Sequence, residues 1–445
     1  MKVAVLFLAA NIVSADQRVD QLLSGYDKPD SPGCQVGVIR DGEFVHKRAY
    51  GSANLEYGIP LTTKSITYIA STSKQFTALS ILLLEQDGKL SLDDPIRRYI
   101  PELPTWADPV TLRHLLHHTS GIRDYFAIAE LAGETGHSFN NAGVLDILLR
   151  QRALNNPAGA EHLYSNSGYV LLSIVVKAAS GKTLREFARE RIFAPLGMAN
   201  TDFRDNHREP IPNRAAGYVP RGRQGFGLAN SELDVVGDGG LYTNVEDLLL
   251  WDRNFYSGKV GRLDLLSRMQ VRGANTKDYG MGLAMADFRG LHTVSHGGVL
   301  GGYRTEMLRF PDERLTVINL CNHGGANASD LARKIATLYL ADKMTPEVVR
   351  PKSTPESKTG KAGRLADFEG YFISSEVPTE WRMVLEKGKL ILKRGVSWSI
   401  PLHESASDEF TVGPWKMHFV RAASGAVTGM RLDSARVRWI QFDKK

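Results

Sequence analysis

Ser71 and Lys74 stand three residues apart in Ser71-Thr72-Ser73-Lys74, at the head of a segment whose apolar Phe76, Leu79, Leu82 and Leu83 recur at helical spacing until Asp87-Gly88 stops it. On a helix that spacing sets an alcohol and an amine on one face, about 5 to 6 Å apart at Cβ. A helix start also aims free N–H groups and a partial positive charge outward, favouring a serine alkoxide and the oxyanion that follows its attack. A lysine out of water sheds its charge more readily than a solvated one, so the amine would take the alcohol's proton. Alone, Ser-x-x-Lys more often marks a plain helix cap.

Two further clusters carry chemistry at a distance. Tyr164-Ser165-Asn166 follows the turn-forming Asn156-Pro157-Ala158-Gly159 and precedes an apolar helical pattern from about Gly168. A phenol and an amide presented there could share a cleft, Tyr164 relaying protons and Asn166 holding a substrate carbonyl or the lysine amine. His296-Gly297-Gly298 runs off Thr293-Val294-Ser295. Its glycines would let a substrate backbone approach a strand edge, and the N–H of Val299 could join that of Ser71 in binding an oxyanion. An imidazole touching substrate there would make activity respond to pH between about 6 and 7.5.

The elements that must position these groups read as strands at both ends of a helical middle. Gln35 to Tyr50 is a hairpin turning at Asp41-Gly42. Helical patterns cover Thr111 to His118, Ala142 to Gln151, Gly168 to Ala179, Leu184 to Ile192 and Asn244 to Phe255, with loops expected from Phe126 to Asn140 and from Arg204 to Glu232. Strands return at Thr293 to Ser295, Thr305 to Arg309 and Leu315 to Leu320. The fold class expected is α/β (α+β): an antiparallel sheet closed by distant segments, with helices on its faces. The stretch 343–363, with Pro346, Pro351 and Pro355, has linker composition. Beyond it, Met383-Val384-Leu385, Leu390-Ile391-Leu392, Met417 to Val420, Met430 to Leu432 and Val437 to Ile440 alternate as a small β sandwich or barrel. The division expected is a leader at 1–15, a catalytic body at 16–342, the linker, and a C-terminal β module at 364–445.

Composition narrows the partners. With 55 basic and 49 acidic residues spread along 445, there is no Lys/Arg block to grip nucleic acid. Lys2, the apolar run Val3 to Ala10 and Val13-Ser14-Ala15 suit a signal peptide cut before Asp16. No later stretch reaches the ~18 to 20 apolar residues of a membrane helix. Cys34 and Cys321 make no disulfide framework and read as two buried strand thiols. His114, His117 and His118 share a helix face, but without a carboxylate ligand or His-Glu-x-x-His they specify no metal site, and no cofactor is expected. No Gly-x-Ser-x-Gly elbow is present.

Taken in order, the three clusters resemble the serine β-lactamase and penicillin-binding-protein superfamily, in its class C-like branch of esterases, D-aminopeptidases and D-alanyl-D-alanine carboxypeptidases. The likeness runs from Val36 to Asn322 and includes His114-Leu115-Leu116-His117-His118-Thr119-Ser120-Gly121, Gly239-Gly240-Leu241-Tyr242-Thr243 and Gly280-Met281-Gly282-Leu283. It implies a β-lactamase-like fold with an all-helical subdomain and an acyl-enzyme on Ser71. Lys74 and Tyr164 would share base and acid roles, with Asn166, His296, Gly297, Gly298 and Val299 against the substrate. The substrate implied is a small ester or a D-amino-acid-containing peptide, peptidoglycan fragments among them, met outside the cytoplasm of a bacterium. The C-terminal strands resemble a lipocalin-like appendage that would cover the cleft, pair subunits or merely pack. Where penicillinases carry Lys-Thr-Gly this chain has His296-Gly297-Gly298, and a mostly neutral imidazole anchors a carboxylate less well than an ammonium. The alternatives are a penicillin-binding protein, a weak β-lactamase, or an acylated sensor of the same fold that does not turn over.

Overall fold

Asp41 and Gly42 take φ of 53° and 79°, so the strands they join, Cys34–Arg40 and Glu43–Tyr50, fold back in the tight turn the sequence predicts. The computed structural model describes residues 14–134, 139–276, 278–346, 365–395 and 398–445. The hairpin is one edge of a six-stranded antiparallel sheet. Its order is Ala284–Phe288, Leu291–Leu300, Tyr303–Phe310, Leu315–Cys321, Cys34–Arg40, Glu43–Tyr50. The first and last long strands of the body are therefore neighbours, with Cys34 opposite Cys321. The two cysteines form a disulfide. This corrects the expectation of two separate thiols: 287 residues apart in sequence, they meet only because the sheet closes on its own ends.

Helices cover both faces. Ala328–Leu340 buries Ala328, Leu331, Ala332, Ile335, Ala336 and Leu340, one stripe at helical spacing, against Val36, Val38, Leu315 and Val317. Val245–Ser257, capped by Asn244, lies against the other face of the central strands. The helix Lys74–Gln86 is central to this second layer and packs on Asn166–Ser180. Its residues from Lys74 to Leu84 are buried all round, where the sequence suggests one apolar face. Its polar side chains are matched one by one: Trp251 Nε1 donates to Gln75 Oε1 (2.5 Å), Thr77 Oγ1 to the Gly237 carbonyl (2.8 Å) and Ser80 Oγ to Phe76 O (2.9 Å).

Beyond the body, a nearly closed antiparallel barrel of nine strands runs Trp398–Pro401, Lys389–Arg394, Glu380–Glu386, Gly370–Ile373, Ile440–Lys444, Val427–Asp433, Trp415–Arg421, Glu409–Val412, His403–Ala406. Trp381 and Met383, Leu390 and Leu392, Met417 and Phe419, and Ile440 and Phe442 alternate inward, the period-2 pattern of a filled barrel. The leader expected at 1–15 lies outside the described residues except for Ser14, which caps the helix Ala15–Leu23, and Ala15 itself. The linker expected at 343–363 lies outside them beyond 346. Among the described residues no helix is long and apolar enough to cross a membrane.

Two local readings differ from expectation. The stretch expected as loop from Phe126 contains the helix Tyr125–Ala132, started by Asp124, whose Oδ1 accepts from Ala127 N, and ended by Gly133 at φ 85°. Glu130 is its one charged residue, too little contrast over so short a helix for periodicity to reveal it. Val437 to Trp439, expected as strand, belong to a loop at 434–439 in which Ser434 N donates to Val437 O and Trp439 takes φ 60°.

Candidate active site

Ser71 sits in a 3₁₀ turn, Ala70–Ser73, that leads directly into Lys74–Gln86. The turn is clamped from three sides. Ile69 N donates to Leu241 O (3.0 Å), Ser73 Oγ to Ala70 O (2.5 Å), and Thr72 Oγ1 to the carbonyl of His296 (3.2 Å). Ala70 is thereby held at φ 46°, a left-handed conformation costing a non-glycine residue about 1 kcal/mol or more. Gly298 passes so close that a Cβ there would lie 2.1 Å from the Ile69 carbonyl oxygen. Only glycine lets the Leu291–Leu300 strand run against the serine turn.

One turn along, the Lys74 side chain is fully buried. Its Nζ lies 3.1 Å from Ser71 Oγ and donates to Asn166 Oδ1 (2.9 Å) and to the main-chain carbonyl of Asp238 (2.6 Å). Asn166 opens the helix Asn166–Ser180. Its amide orientation is set by charge: Nδ2 and the backbone N both donate to Asp124 Oδ2, at 2.9 and 2.8 Å, which leaves Oδ1 for the amine. The Tyr164 ring centre is 5.0 Å from Lys74 Nζ and 4.1 Å from the His118 ring. Ser165 N donates to His118 Nδ1 (3.2 Å), and burial, with Lys74 beside it, holds that imidazole neutral, its pKa well below the ordinary value.

His296 is 7% exposed. Its Nδ1 donates to the Gly297 carbonyl (2.7 Å), and its Nε2 accepts from Tyr279 Oη (2.9 Å). Burial first, then Lys74, pushes its pKa down to about 4. The pH response between 6 and 7.5 expected of an ordinary imidazole therefore has no source in this residue, which stays neutral throughout that range. Asp238 moves the other way: burial first, and Asp124 against the opposing pull of Lys74, raise its carboxyl to about 6, with Tyr125 Oη donating to it at 3.2 Å.

Ser71, Tyr164, Asn166, His296, Gly297 and Val299 line one cleft of about 410 Å³. Lys74 reaches it through Ser71, and Gly298, between Gly297 and Val299 of the lining, packs against Ile69. The structure thus brings all eight expected site residues together. A more apolar cavity of about 430 Å³ adjoins along Phe126, Leu233 and Leu300. Of the three histidines weighed as metal ligands, two do separate jobs: His114 Nδ1 accepts from Thr111 N, and His118 underlies Tyr164. Among the described residues no group of three or more His, Cys, Asp or Glu could hold a metal ion.

Sequence reasoning missed Asp124, Asp238 and Arg436. Asp124 carried a signal, as an acidic residue before an apolar run. Asp238 sits one residue before Gly239-Gly240-Leu241-Tyr242-Thr243. Arg436, which also lines the cleft, comes from the barrel and carried none.

Residues 16–342 match the family model described as Beta-lactamase. A D-aminopeptidase of Cereibacter sphaeroides is 31% identical over 344 residues, 76% of this chain and 64% of that protein. This chain therefore spans under two thirds of that relative's length. "Penicillin-binding protein 4*" of Bacillus subtilis is 32% identical over 75% of this chain and 76% of its own length. The octameric penicillin-binding protein homologue from Pyrococcus abyssi superposes with TM-score 0.66 over 96% of this chain and 99% of its own, at 22% identity. The D-amino acid amidase from Ochrobactrum anthropi SV3 does so with TM-score 0.62 over 74% and 99%, also at 22%. At that identity the two structures show the fold alone.

Proposed function

This chain belongs to the serine β-lactamase and penicillin-binding-protein superfamily, and from that membership we propose that it is a serine hydrolase acting through an acyl-enzyme on D-amino-acid-containing peptides or esters, with Ser71 as nucleophile. One observation carries the reading. Of the three partners of Lys74 Nζ, the Asn166 and Asp238 oxygens can only accept, while the Ser71 hydroxyl can also donate. A neutral amine has two N–H bonds and one lone pair. Once the ammonium has given up a proton, the two N–H bonds that remain go to Asn166 and Asp238 and the lone pair is left for the proton of Ser71, 3.1 Å away.

Attack then proceeds with the proton passing to Lys74 as Ser71 Oγ bonds to the substrate carbonyl carbon. The negative oxygen that results would be met by the N–H groups of Ser71 and Val299. Tyr164, over which Lys74 lies, gives its hydroxyl proton to the leaving group as the bond to carbon breaks and is reprotonated from Lys74. Water enters by the same route in reverse and releases Ser71. His296 holds the strand end beside Gly297 rather than supplying charge. The adjoining apolar cavity offers room for the side chain of the acyl group. The relatives, a D-aminopeptidase and a penicillin-binding protein, support D-amino-acid substrates. Export from a bacterial cytoplasm is supported by the Cys34–Cys321 disulfide, a bond that persists in oxidising compartments.

Labelling with a fluorophosphonate and turnover of p-nitrophenyl acetate test the assignment. Both are expected to vanish in Ser71→Ala. Undiminished hydrolysis by that variant would end it.

A further inference from the structure

The barrel does more than pack beside the body: it inserts the loop 434–439 at the mouth of the cleft. Asn155 Nδ2 donates to Arg436 O (3.0 Å), Arg438 N to Asn155 Oδ1 (2.7 Å), and the Arg438 guanidinium pairs with Glu161 (2.6 Å). Behind the loop, Arg123 and Glu376 form an ion pair buried on both sides, and Glu376 also accepts from Arg152 N (2.9 Å). Pinned in this way, the loop carries Arg436 into the lining of the Ser71 cleft, its guanidinium 4.8 Å from the centre of the Tyr164 ring.

The charge of that group is not spent. Its side chain is 46% exposed, and the nearest carboxylate among the described residues, Asp124 Oδ2, lies 3.9 Å away and already accepts two N–H bonds from Asn166. Of the groups lining the cleft, Asp238 is buried, His296 has both ring nitrogens occupied, and Lys74, reached through Ser71, is fully buried. Arg436 is thus the cation that the cleft presents to solvent. The adjoining cavity is lined by the carboxylates of Glu130, Glu134 and Glu232, of which Glu130 and Glu232 are exposed. A guanidinium over an aromatic face, with its N–H fork free, is suited to a planar anion.

We propose that Arg436 binds a carboxylate of the substrate, so that the barrel completes the active site and selects D-peptides whose leaving amino acid carries a free α-carboxylate. This rests on the acyl-enzyme reading above and narrows it. In the step concerned the Ser71 Oγ–carbon bond forms, the peptide C–N bond breaks, and the proton taken from Ser71 goes to the departing amine. The amino acid leaves with its carboxylate on Arg436. Water then cleaves the serine ester.

The test compares N-acetyl-D-alanyl-D-alanine with its C-terminal carboxamide. The protein is expected to prefer the free acid by roughly 10- to 100-fold in kcat/KM, the scale of one charged hydrogen-bonding contact. Arg436→Ala should bring that ratio near one, and Arg436→Lys should restore part of it. Equal use of acid and amide by the unaltered protein would overturn the proposal. So would an equal loss on both substrates in Arg436→Ala, which would mean that the guanidinium acts on Tyr164 or on packing. Calorimetry on the inactive Ser71→Ala protein separates this from the parent reading. There the acid should bind at least tenfold tighter than the amide, and adding Arg436→Ala should remove the difference whether or not Ser71 proves to be the nucleophile. No difference in the Ser71→Ala protein counts against Arg436 alone.

Discussion

Two cations approach the ring of Tyr164 from different parts of the molecule, Lys74 of the body at 5.0 Å and Arg436 of the barrel at 4.8 Å, and they are handled in opposite ways. Lys74 is fully buried and has a partner for each hydrogen, on a helix buried all round. Arg436 is half in water, on a loop, with no acceptor at hydrogen-bond distance among the described residues. A group that must move a proton benefits from fixed geometry and a dry setting, where each hydrogen bond is stronger. A group that must catch an arriving anion needs open N–H bonds and access. The contrast separates chemistry from recognition, and each side can be attacked on its own.

The largest effect is expected on the buried side. Lys74→Met preserves the length of the chain and its packing but removes the proton acceptor, so p-nitrophenyl acetate turnover should fall by at least ~10³-fold. A loss under tenfold would assign the base to another group. An intermediate effect is expected where barrel meets body. Arg123→Ala strands the Glu376 carboxylate in a buried site, at a cost of about 3–5 kcal/mol. Thermal unfolding should show a clear drop in Tm, and the preference for a free-acid substrate should weaken with it as Arg436 loses its seat. Intact preference would show the loop to be held by its own contacts with Asn155 and Glu161.

The smallest effect is expected from Asp238. Its carboxyl is raised to about 6 against an ordinary 3.8, so the folded state holds that proton more tightly than the unfolded chain. The stability this lends is fully present below about pH 4 and is lost as pH rises through 6. Asp238→Asn cannot ionise. Its loss of stability from pH 5 to pH 8, read by denaturant unfolding, should be smaller than that of the unaltered protein, by about 1.4 kcal/mol. Parallel curves would show that the carboxyl is charged throughout.

Much of the site was readable because it is local. Ser71 and Lys74 lie one helical turn apart, and Asn166 opens a helix whose apolar period is plain. The hairpin at Asp41-Gly42 and the alternation from Met383 onward were readable for the same reason: period and turn chemistry act over a few residues. What escaped was of two kinds. The helix Tyr125–Ala132 is short and has Glu130 as its one charged residue, so it shows little period, and Asp124 went unnoticed with it. The neutral state of His296 depends on burial and on Lys74, neither of which its neighbours in sequence reveal.

By itself the sequence determined which side chains could do acyl transfer and most of the segments that would be helix or strand, since both follow from spacing along the chain. The tertiary structure alone decided that Cys34 meets Cys321, that Asp124 aims the amide of Asn166 at Lys74, and that a barrel loop sets Arg436 beside Tyr164. Each of these joins residues dozens to hundreds of positions apart. Such contacts form only when sheet, helices and barrel pack against one another, and no short-range pattern encodes them.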